Sequence, residues 1–425
     1  MDSSDSSDIA DGILPDKAPE HIGRRRSAFG LPWHKVRKQF VRKHQWNELI
    51  KQSIKDDWRS TLQKPSQSST ATSGSTMHIS DPLRCFVIPG DDLLDIRSLW
   101  NEVSPLDCYI RYLGFNEGHG SDEKDTRVFV ANNAVTSLAG VIPDSQVLRD
   151  RFESIARDAS GFAQLKRYGP FHVVNLDLCG SLLPNKQKQI EPYITAMDRL
   201  LRYQFANQKT TWLLFVVTMI EPSQVAPDEM ASFCKPTREN FDSNPAFAAE
   251  VTKLFPASIL QDSDTPANVA GISSEEMLRL FGVAFGKWLL KLSHSGSPEW
   301  TVRMRQVHRY EIEETAGGTM LSLAFQFKPN FAPPVDPTGI SKLTTPPSNF
   351  PNEADSAVKI VETVSKMRNV DTELESDSAL RELLTKESAD LMESAGFDRK
   401  DYLDWVAKGE LSARQAKLRH SYSEQ

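Results

Sequence analysis

The sequence has no long apolar run, and its four cysteines among 425 residues have no recognisable pairing. A helix that crosses a membrane needs roughly 20 mostly apolar residues, and no segment reaches that length. The cysteines show neither C-x-x-C spacing nor paired histidines, so no zinc site or disulfide framework is predicted. The N-terminus also lacks the basic-then-apolar pattern of a secretory peptide. These absences predict a cytoplasmic globular protein, which we expect to be bacterial.

The net charge of −7 is distributed unevenly along the chain. Residues 1–20 carry one lysine and six acids, whereas residues 21–64 carry twelve Lys/Arg and three acids. Such a basic segment, with aromatic residues between the cations, predicts contact with the phosphates and bases of a nucleic acid. Docking onto the acidic remainder of the chain or a partner protein, and contact with an anionic membrane surface, are the alternatives. The predicted nucleic-acid-binding residues are Arg24, Arg25, Arg26, Lys35, Arg37, Lys38, Arg42, Lys43 and Trp46.

Between residues 83 and 220, apolar segments of strand composition alternate with segments of helical periodicity. The predicted strands are Arg84–Ile88, Tyr109–Phe115, Phe171–Leu176 and Thr211–Ile220. The predicted helices between them are Leu93–Trp100, Ser145–Ala159 and Ile190–Phe205. This alternation is typical of a parallel sheet whose crossover helices cover its faces.

The chain then changes pattern. Residues 301–313 and 319–328 alternate apolar and polar side chains, and the loop between them contains Gly317 and Gly318. Two such segments joined by a glycine-containing loop predict an antiparallel hairpin. The predicted fold class is therefore α/β: a mostly parallel, Rossmann-like sheet closed by a C-terminal hairpin, with a helical N-terminal arm and a helical C-terminal region.

Composition divides the chain into six predicted segments. They are an acidic disordered tail (1–23), a basic helical arm (24–64), a flexible Ser/Thr-rich linker (65–80), the sheet domain (81–330), a Pro-rich linker (331–355) and a small helical region (356–425).

Asp177 is the most informative single residue. It directly follows the buried strand Phe171–Leu176, and Gly180 comes three residues later. Ligands of open α/β sheets bind outside the carboxyl ends of the strands, so a carboxylate there is a candidate site residue. The alternative is an aspartate that caps the next turn. The neighbouring Cys179 is either a nucleophile or a small buried residue.

Over residues 81–330 the predicted arrangement resembles the class I S-adenosylmethionine-dependent methyltransferases, whose Rossmann-like sheet has its last strand inserted antiparallel by a closing hairpin. In that family the loop after the first strand and an acid after the second hold the cofactor. The resemblance implies S-adenosylmethionine as cofactor and Asp177 as the residue that positions the methyl acceptor. The cofactor-binding residues that it implies are Pro89, Gly90, Asp91, Asp92, Glu117 and Asp144.

Two loops depart from the family pattern. The first loop has one glycine, Gly90, where the family usually shows E/D-x-G-x-G. The fourth loop is D-L-C-G, whereas amino-methyltransferases of nucleic acids usually carry D/N-P-P-Y/F. The prediction is a methyltransferase or methyltransferase-like protein that acts on nucleic acid. The alternative is a non-catalytic interaction protein on a degenerate methyltransferase fold, which assembles with other proteins through the basic arm and the C-terminal helices.

Overall fold

A computed structural model describes most of the chain. The described residues are 26–62, 81–117, 122–157, 160–178, 180–183, 193–221, 225, 227–261, 272–294, 298–312, 318–330 and 352–409. The predicted acidic tail, the Ser/Thr-rich linker and most of the Pro-rich linker lie outside these residues, as do Arg24, Arg25 and Cys179.

One eight-stranded sheet organises the described residues, with the strand order β3-β2-β1-β4-β5-β7-β6-β8. Strands β1 to β5 pair in parallel, whereas β7 pairs antiparallel with both β5 and β6. The strands are β1 (Leu83–Val87), β2 (Ile110–Phe115), β3 (Gln146–Leu148), β4 (Val173–Asp177), β5 (Trp212–Ile220), β6 (Glu299–Glu311), β7 (Thr319–Asn330) and β8 (Arg368–Asn369). The predicted fold class, a Rossmann-like sheet with a closing antiparallel hairpin, is confirmed.

Helices lie on both faces of the sheet. Those before β4 are α1 (Val36–Val41), α2 (Glu48–Ser53), α3 (Arg59–Leu62), α4 (Leu94–Val103), α5 (Asp122–Thr136) and α6 (Ser160–Tyr168). Those between β4 and β6 are α7 (Tyr193–Asn207), α8 (Pro227–Ser243), α9 (Pro245–Val251), α10 (Ser258–Gln261) and α11 (Ser274–His294). The C-terminal ones are α12 (Glu353–Ser365), α13 (Val370–Ser376), α14 (Ser378–Ser394) and α15 (Arg399–Ala407). Short 3₁₀ turns occur at Pro32–His34, Ser104–Leu106 and Phe152–Ala156.

Strand β5 shows why the apolar segments form this sheet. Leu213, Phe215 and Val217 belong to the core on one face of the sheet, whereas Leu214 and Val216 belong to the core on the other. A strand that is buried on both faces needs a continuous apolar run rather than alternation. The run therefore predicts the strand correctly.

Helices α1, α2 and α3 form one continuous helix over residues 36–62, which we call the N-terminal helix. Two stretches with wider π-type turns, Arg42–Asn47 and Ile54–Trp58, interrupt its regular geometry. Phe40 and Trp46, whose spacing places them on different faces of an ideal α-helix, are both buried because a π-type turn changes the helical register. At its far end the indole of Trp58 donates a hydrogen bond to the carbonyl of Thr211 at 2.7 Å. The helix thus packs directly on the sheet.

The C-terminal helices complete both layers. Helix α12 packs against α11, where a Cβ at Gly286 would lie 2.7 Å from Ile360. Helix α14 instead contacts α1 and α4 on the face of the N-terminal helix. Among the described helices, none combines the length and the apolar character needed to span a bilayer.

The predicted helix Ser145–Ala159 is wrong. This segment forms the three-residue strand β3, which pairs in parallel with β2, followed by the turn Phe152–Ala156. A strand of three residues is too short to show an alternating pattern, and Val147, Leu148, Phe152 and Ile155 imitate helical spacing by chance. Pairing with the edge of β2 decides the conformation.

Candidate ligand cleft

A cleft of about 170 Å³ lies at the carboxyl ends of β1 to β4. It brings together five of the residues predicted for a site, which come from three different strand ends. They are Pro89, Gly90, Asp91, Glu117 and Asp177. This is the edge at which α/β sheets bind ligands, because the loops after parallel strands converge there.

The half of the cleft next to β2 and β3 is open and contains acidic and aromatic side chains. Glu117 forms a half-exposed ion pair with Arg151 at 2.7 Å. The rings of Phe152 and Tyr193 stack with a centroid distance of 6.4 Å. Carboxylates accept hydrogen bonds from hydroxyl groups, and aromatic rings stack on planar groups. This half therefore offers contacts of the kind that a nucleoside needs.

The half of the cleft next to β1 is filled by the chain itself. A Cβ atom at position 90 would lie 2.7 Å from the indole of Trp33, so the ring rests directly on the glycine. Trp33 belongs to the 3₁₀ turn that precedes the N-terminal helix, and its indole nitrogen lies 3.4 Å from Asp92. Because glycine has no side chain, a cofactor could approach the backbone closely at this position. In this structure the indole of Trp33 occupies that space instead.

Substitution of Gly90 by alanine should lower the free energy of unfolding by about 1–3 kcal/mol, because the added methyl overlaps the Trp33 ring. Urea denaturation measures the change. The matched control is Gly180→Ala, since no atom lies within 4 Å of a Cβ at that position. Equal stabilities of the two variants would contradict the contact between Trp33 and Gly90.

Asp177 lies at the end of β4, but its carboxylate is paired. The ammonium of Lys38 donates to it at 2.5 Å, and the two side chains are 4% and 11% exposed. The same ammonium lies 4.5 Å from the ring centroid of Trp46 and 3.5 Å from the hydroxyl of Tyr310. Burial opposes the charge of Lys38, but Asp177 and Tyr310 outweigh it and raise its pKa to about 12. For Asp177, burial raises the pKa of the carboxyl group, although the charge of Lys38 acts in the opposite direction.

Asp92 follows Gly90 by two residues, yet it is not part of the cleft lining. Its fully buried carboxylate accepts hydrogen bonds from Arg26 at 2.8 Å and from Arg127 at 2.7 and 3.0 Å. A ring nitrogen of His34 lies 3.0 Å away. Burial alone would raise the pKa of Asp92, but the hydrogen bonds from His34 and Arg127 bring it below its usual range. Asp92 joins three segments of the chain rather than facing a ligand.

Asp144, one of the cofactor-binding residues that the resemblance implies, lies at the opposite end of the sheet. It precedes β3 and forms two hydrogen bonds with Arg111, which stands near the start of β2. A cofactor-binding role for Asp144 is therefore not supported by its position, since β3 begins only at Gln146. Two acids that follow β3 line the cleft, Asp150 and Glu153, and Asp150 accepts a hydrogen bond from Ser154 at 2.8 Å.

The chain matches the model of the PP_RS20740-like family over residues 28–407. It belongs to this family. The matched span includes the N-terminal helix and α15 as well as the sheet. A search of curated proteins found no match. Among solved structures, the chain is similar to a "putative rRNA-methylase" from Clostridium thermocellum, with 11% identity over 59% of this chain and 90% of that chain. The TM-score of 0.26 is too low to carry an argument.

In this PP_RS20740-like chain, the six described cations that were predicted to bind a nucleic acid contact other parts of the same chain. Arg26 contacts Asp92 and Lys38 contacts Asp177, as described above. Arg42 pairs with Asp95 at 2.7 Å in the interior. Trp46, between these cations in sequence, is 3% exposed. The other partners are the carbonyl of Ile312 for Lys35, Asp371 for Arg37, and Glu102 and Glu387 for Lys43. In this conformation Lys38, Arg42 and Trp46 are inaccessible to a nucleic acid. Docking onto the acidic remainder of the chain, one of the predicted alternatives, describes these contacts.

Arg151, Phe152 and Tyr193 are among the cleft residues that were not predicted as site residues. They line the cleft because β3 and α7 deliver them to the carboxyl edge of the sheet. Nothing in their local sequence distinguishes them from an ordinary core or loop residue. A strand predicted at Gln146–Leu148 would have placed Arg151 and Phe152 at this edge.

Proposed function

We propose that this chain is a non-catalytic, methyltransferase-like interaction protein. One observation carries the proposal: a single segment, residues 33–38, covers both functional parts of the cleft. Trp33, the first residue of this segment, rests on Gly90 in the loop after β1, which holds the cofactor in the methyltransferase fold. Lys38, its last residue, neutralises Asp177 at the end of β4.

The residues present do not fit a complete S-adenosylmethionine in this conformation. Sites for ligands of drug size enclose about 300–1,000 Å³, whereas this cleft encloses about 170 Å³. The indole of Trp33 occupies the space beside Gly90, and Asp177 is engaged by Lys38. We therefore derive no transfer step. The carboxylate of Asp177 holds the N-terminal helix on the sheet instead of orienting an acceptor.

Calorimetric titration of the full-length chain with S-adenosylmethionine tests the proposal. We expect no saturable heat at millimolar cofactor, because binding would require the burial around Trp33 and Lys38 to be undone. Trp33→Ala removes the indole from the first loop while leaving the ion pair of Lys38 in place. Weak binding by this variant alone would support occlusion by Trp33, whereas micromolar binding by the unmodified chain would overturn the proposal.

The second candidate is an S-adenosylmethionine-dependent methyltransferase that acts on nucleic acid. The observation in its favour is the convergence of Gly90, Glu117 and Asp177 on one cleft of a Rossmann-like sheet. This function requires residues 33–38 to leave the cleft, after which Asp177 would position the acceptor and the rate would come mainly from orientation. The same titration separates the two candidates.

A further inference from the structure

A second and larger groove lies far from the cleft. It encloses about 670 Å³ between the C-terminal part of the N-terminal helix, the first half of β6, the end of β7 and helix α12. The β7 residues of the groove lie beside the first residues of β5, since Phe327 pairs with Trp212 and Gln326 with Leu213. The groove is therefore at the amino end of the parallel strands, whereas Asp177 is at the carboxyl end.

Five basic side chains line this groove, and they come from three elements. They are Arg303, Arg305, Lys328, Lys359 and Lys366. Arg305 is held by hydrogen bonds to Gln326 at 2.7 Å and Gln52 at 3.1 Å.

The other four groove cations are exposed, and none has an ion pair with any described residue. In this they differ from the six described arm cations that were predicted to bind a nucleic acid, each of which contacts another part of the chain. Lys359 lies on α12 and Lys366 is the residue that caps its C-terminus, seven residues or about 10 Å further along, so both line the same side of the groove.

Three carboxylates also line the groove: Asp56, Asp57 and Glu362. Asp57 accepts a hydrogen bond from Gln326 at 3.1 Å. Cations outnumber acids, so the groove is positive although the chain as a whole is negative. A ligand that suits this mixture carries anionic groups for the cations and hydrogen-bond donors for the carboxylates. Nucleic acids have both, because their phosphates alternate with sugars and bases that carry hydroxyl, amino or imide N–H groups.

We propose that this groove binds the backbone of a single-stranded nucleic acid. An acidic peptide is the alternative ligand for such cations. The apolar lining residues Val302, Met304 and Ile360 are buried, so the described part of the groove offers no exposed apolar pocket for a peptide anchor. No described lining residue is aromatic, so recognition through phosphates would not depend on sequence. This inference goes beyond the proposed function and does not depend on cofactor binding.

Fluorescence anisotropy with labelled oligothymidylate and oligouridylate tests the groove over a series of salt concentrations. Four phosphate contacts predict a slope of log K against log salt of about −2.8, since each contributes about −0.7 on single strands. The variant Lys359→Glu/Lys366→Glu should weaken binding by at least about tenfold at 0.1 M salt and reduce the slope by about 1.4. The two oligonucleotides distinguish a DNA-binding from an RNA-binding groove.

The matched control is Lys386→Glu/Lys400→Glu, which changes the net charge by the same amount on exposed residues of α14 and α15. This control should retain the affinity and the slope. Equal losses in both variants would overturn the proposal, because the effect would follow net charge rather than the groove. Absence of oligonucleotide binding at low salt would also overturn it. So would groove-dependent binding of polyglutamate alone, which would identify an acidic peptide as the ligand.

Discussion

Replacement of Lys38 by methionine should lower the free energy of unfolding by about 3–5 kcal/mol, because the buried carboxylate of Asp177 loses its partner. Methionine keeps most of the aliphatic packing, so the loss reports the missing charge rather than a cavity. The cost is large because the two side chains are nearly inaccessible to water, which would otherwise solvate the remaining carboxylate. Urea denaturation at neutral pH measures it.

Two comparisons isolate this interaction. Lys51 lies on the same helix and pairs with Glu102 at 2.6 Å, but it is one-third exposed, so Lys51→Met should cost less than about 1 kcal/mol. The double variant Lys38→Met/Asp177→Leu should recover most of the stability lost by Lys38→Met, since no unpaired charge then remains buried. If Lys38→Met were as stable as Lys51→Met, the buried ion pair would not hold the N-terminal helix on the sheet.

Asp92→Asn should lower the free energy of unfolding by about 3 kcal/mol at neutral pH. The substitution keeps the size of the side chain but removes the negative charge that Arg26, His34 and Arg127 surround. Those three residues belong to the segment before the N-terminal helix and to α5, so their common partner connects both segments to the first loop. Arg26 and Arg127 are partly exposed, and water can solvate them after the substitution, so we expect a smaller loss than for Lys38.

The pH dependence of the stability lost in Asp92→Asn tests whether the loss comes from the missing carboxylate charge. Because the pKa of Asp92 is lowered in the folded state, its charge contributes stability above the unfolded pKa of about 3.9. That contribution disappears as the pH falls below this value toward the folded pKa. The difference between the unmodified chain and Asp92→Asn should therefore be constant from pH 5 to pH 8 and shrink below about pH 4. A difference that stayed the same at pH 3 would show that the charge of Asp92 is not its origin.

The sheet could be predicted from sequence because its central strands are buried on both faces. Trp212–Ile220 has only apolar residues except Thr218, and no surface element needs such a run. The closing hairpin was predictable from the alternation in Glu299–Glu311 and its partner β7. Asp177 could be placed at the carboxyl edge for the same reason, because the end of a buried strand fixes the position of the next residue.

The partners of the basic arm could not be predicted in this way. An amphipathic helix with cations beside its apolar stripe has the same pattern whether it binds a nucleic acid or acids of its own chain. Asp177 lies 139 residues from Lys38 and Glu387 lies 344 residues from Lys43, and only the tertiary fold brings these pairs close. The same limit applies to Trp33, since no local feature indicates that its ring rests on Gly90.

Residues 33–38 cover the cleft beside Gly90 and Asp177, so the N-terminal helix is part of the folded sheet domain. Titration of the intact chain with S-adenosylmethionine tests this occlusion, because a bound cofactor would need the space beside Gly90 and Asp177 that residues 33–38 occupy. We predict no saturable heat at millimolar cofactor. Stoichiometric binding with a micromolar Kd would show that residues 33–38 do not occlude the cleft and would favour a catalytic methyltransferase.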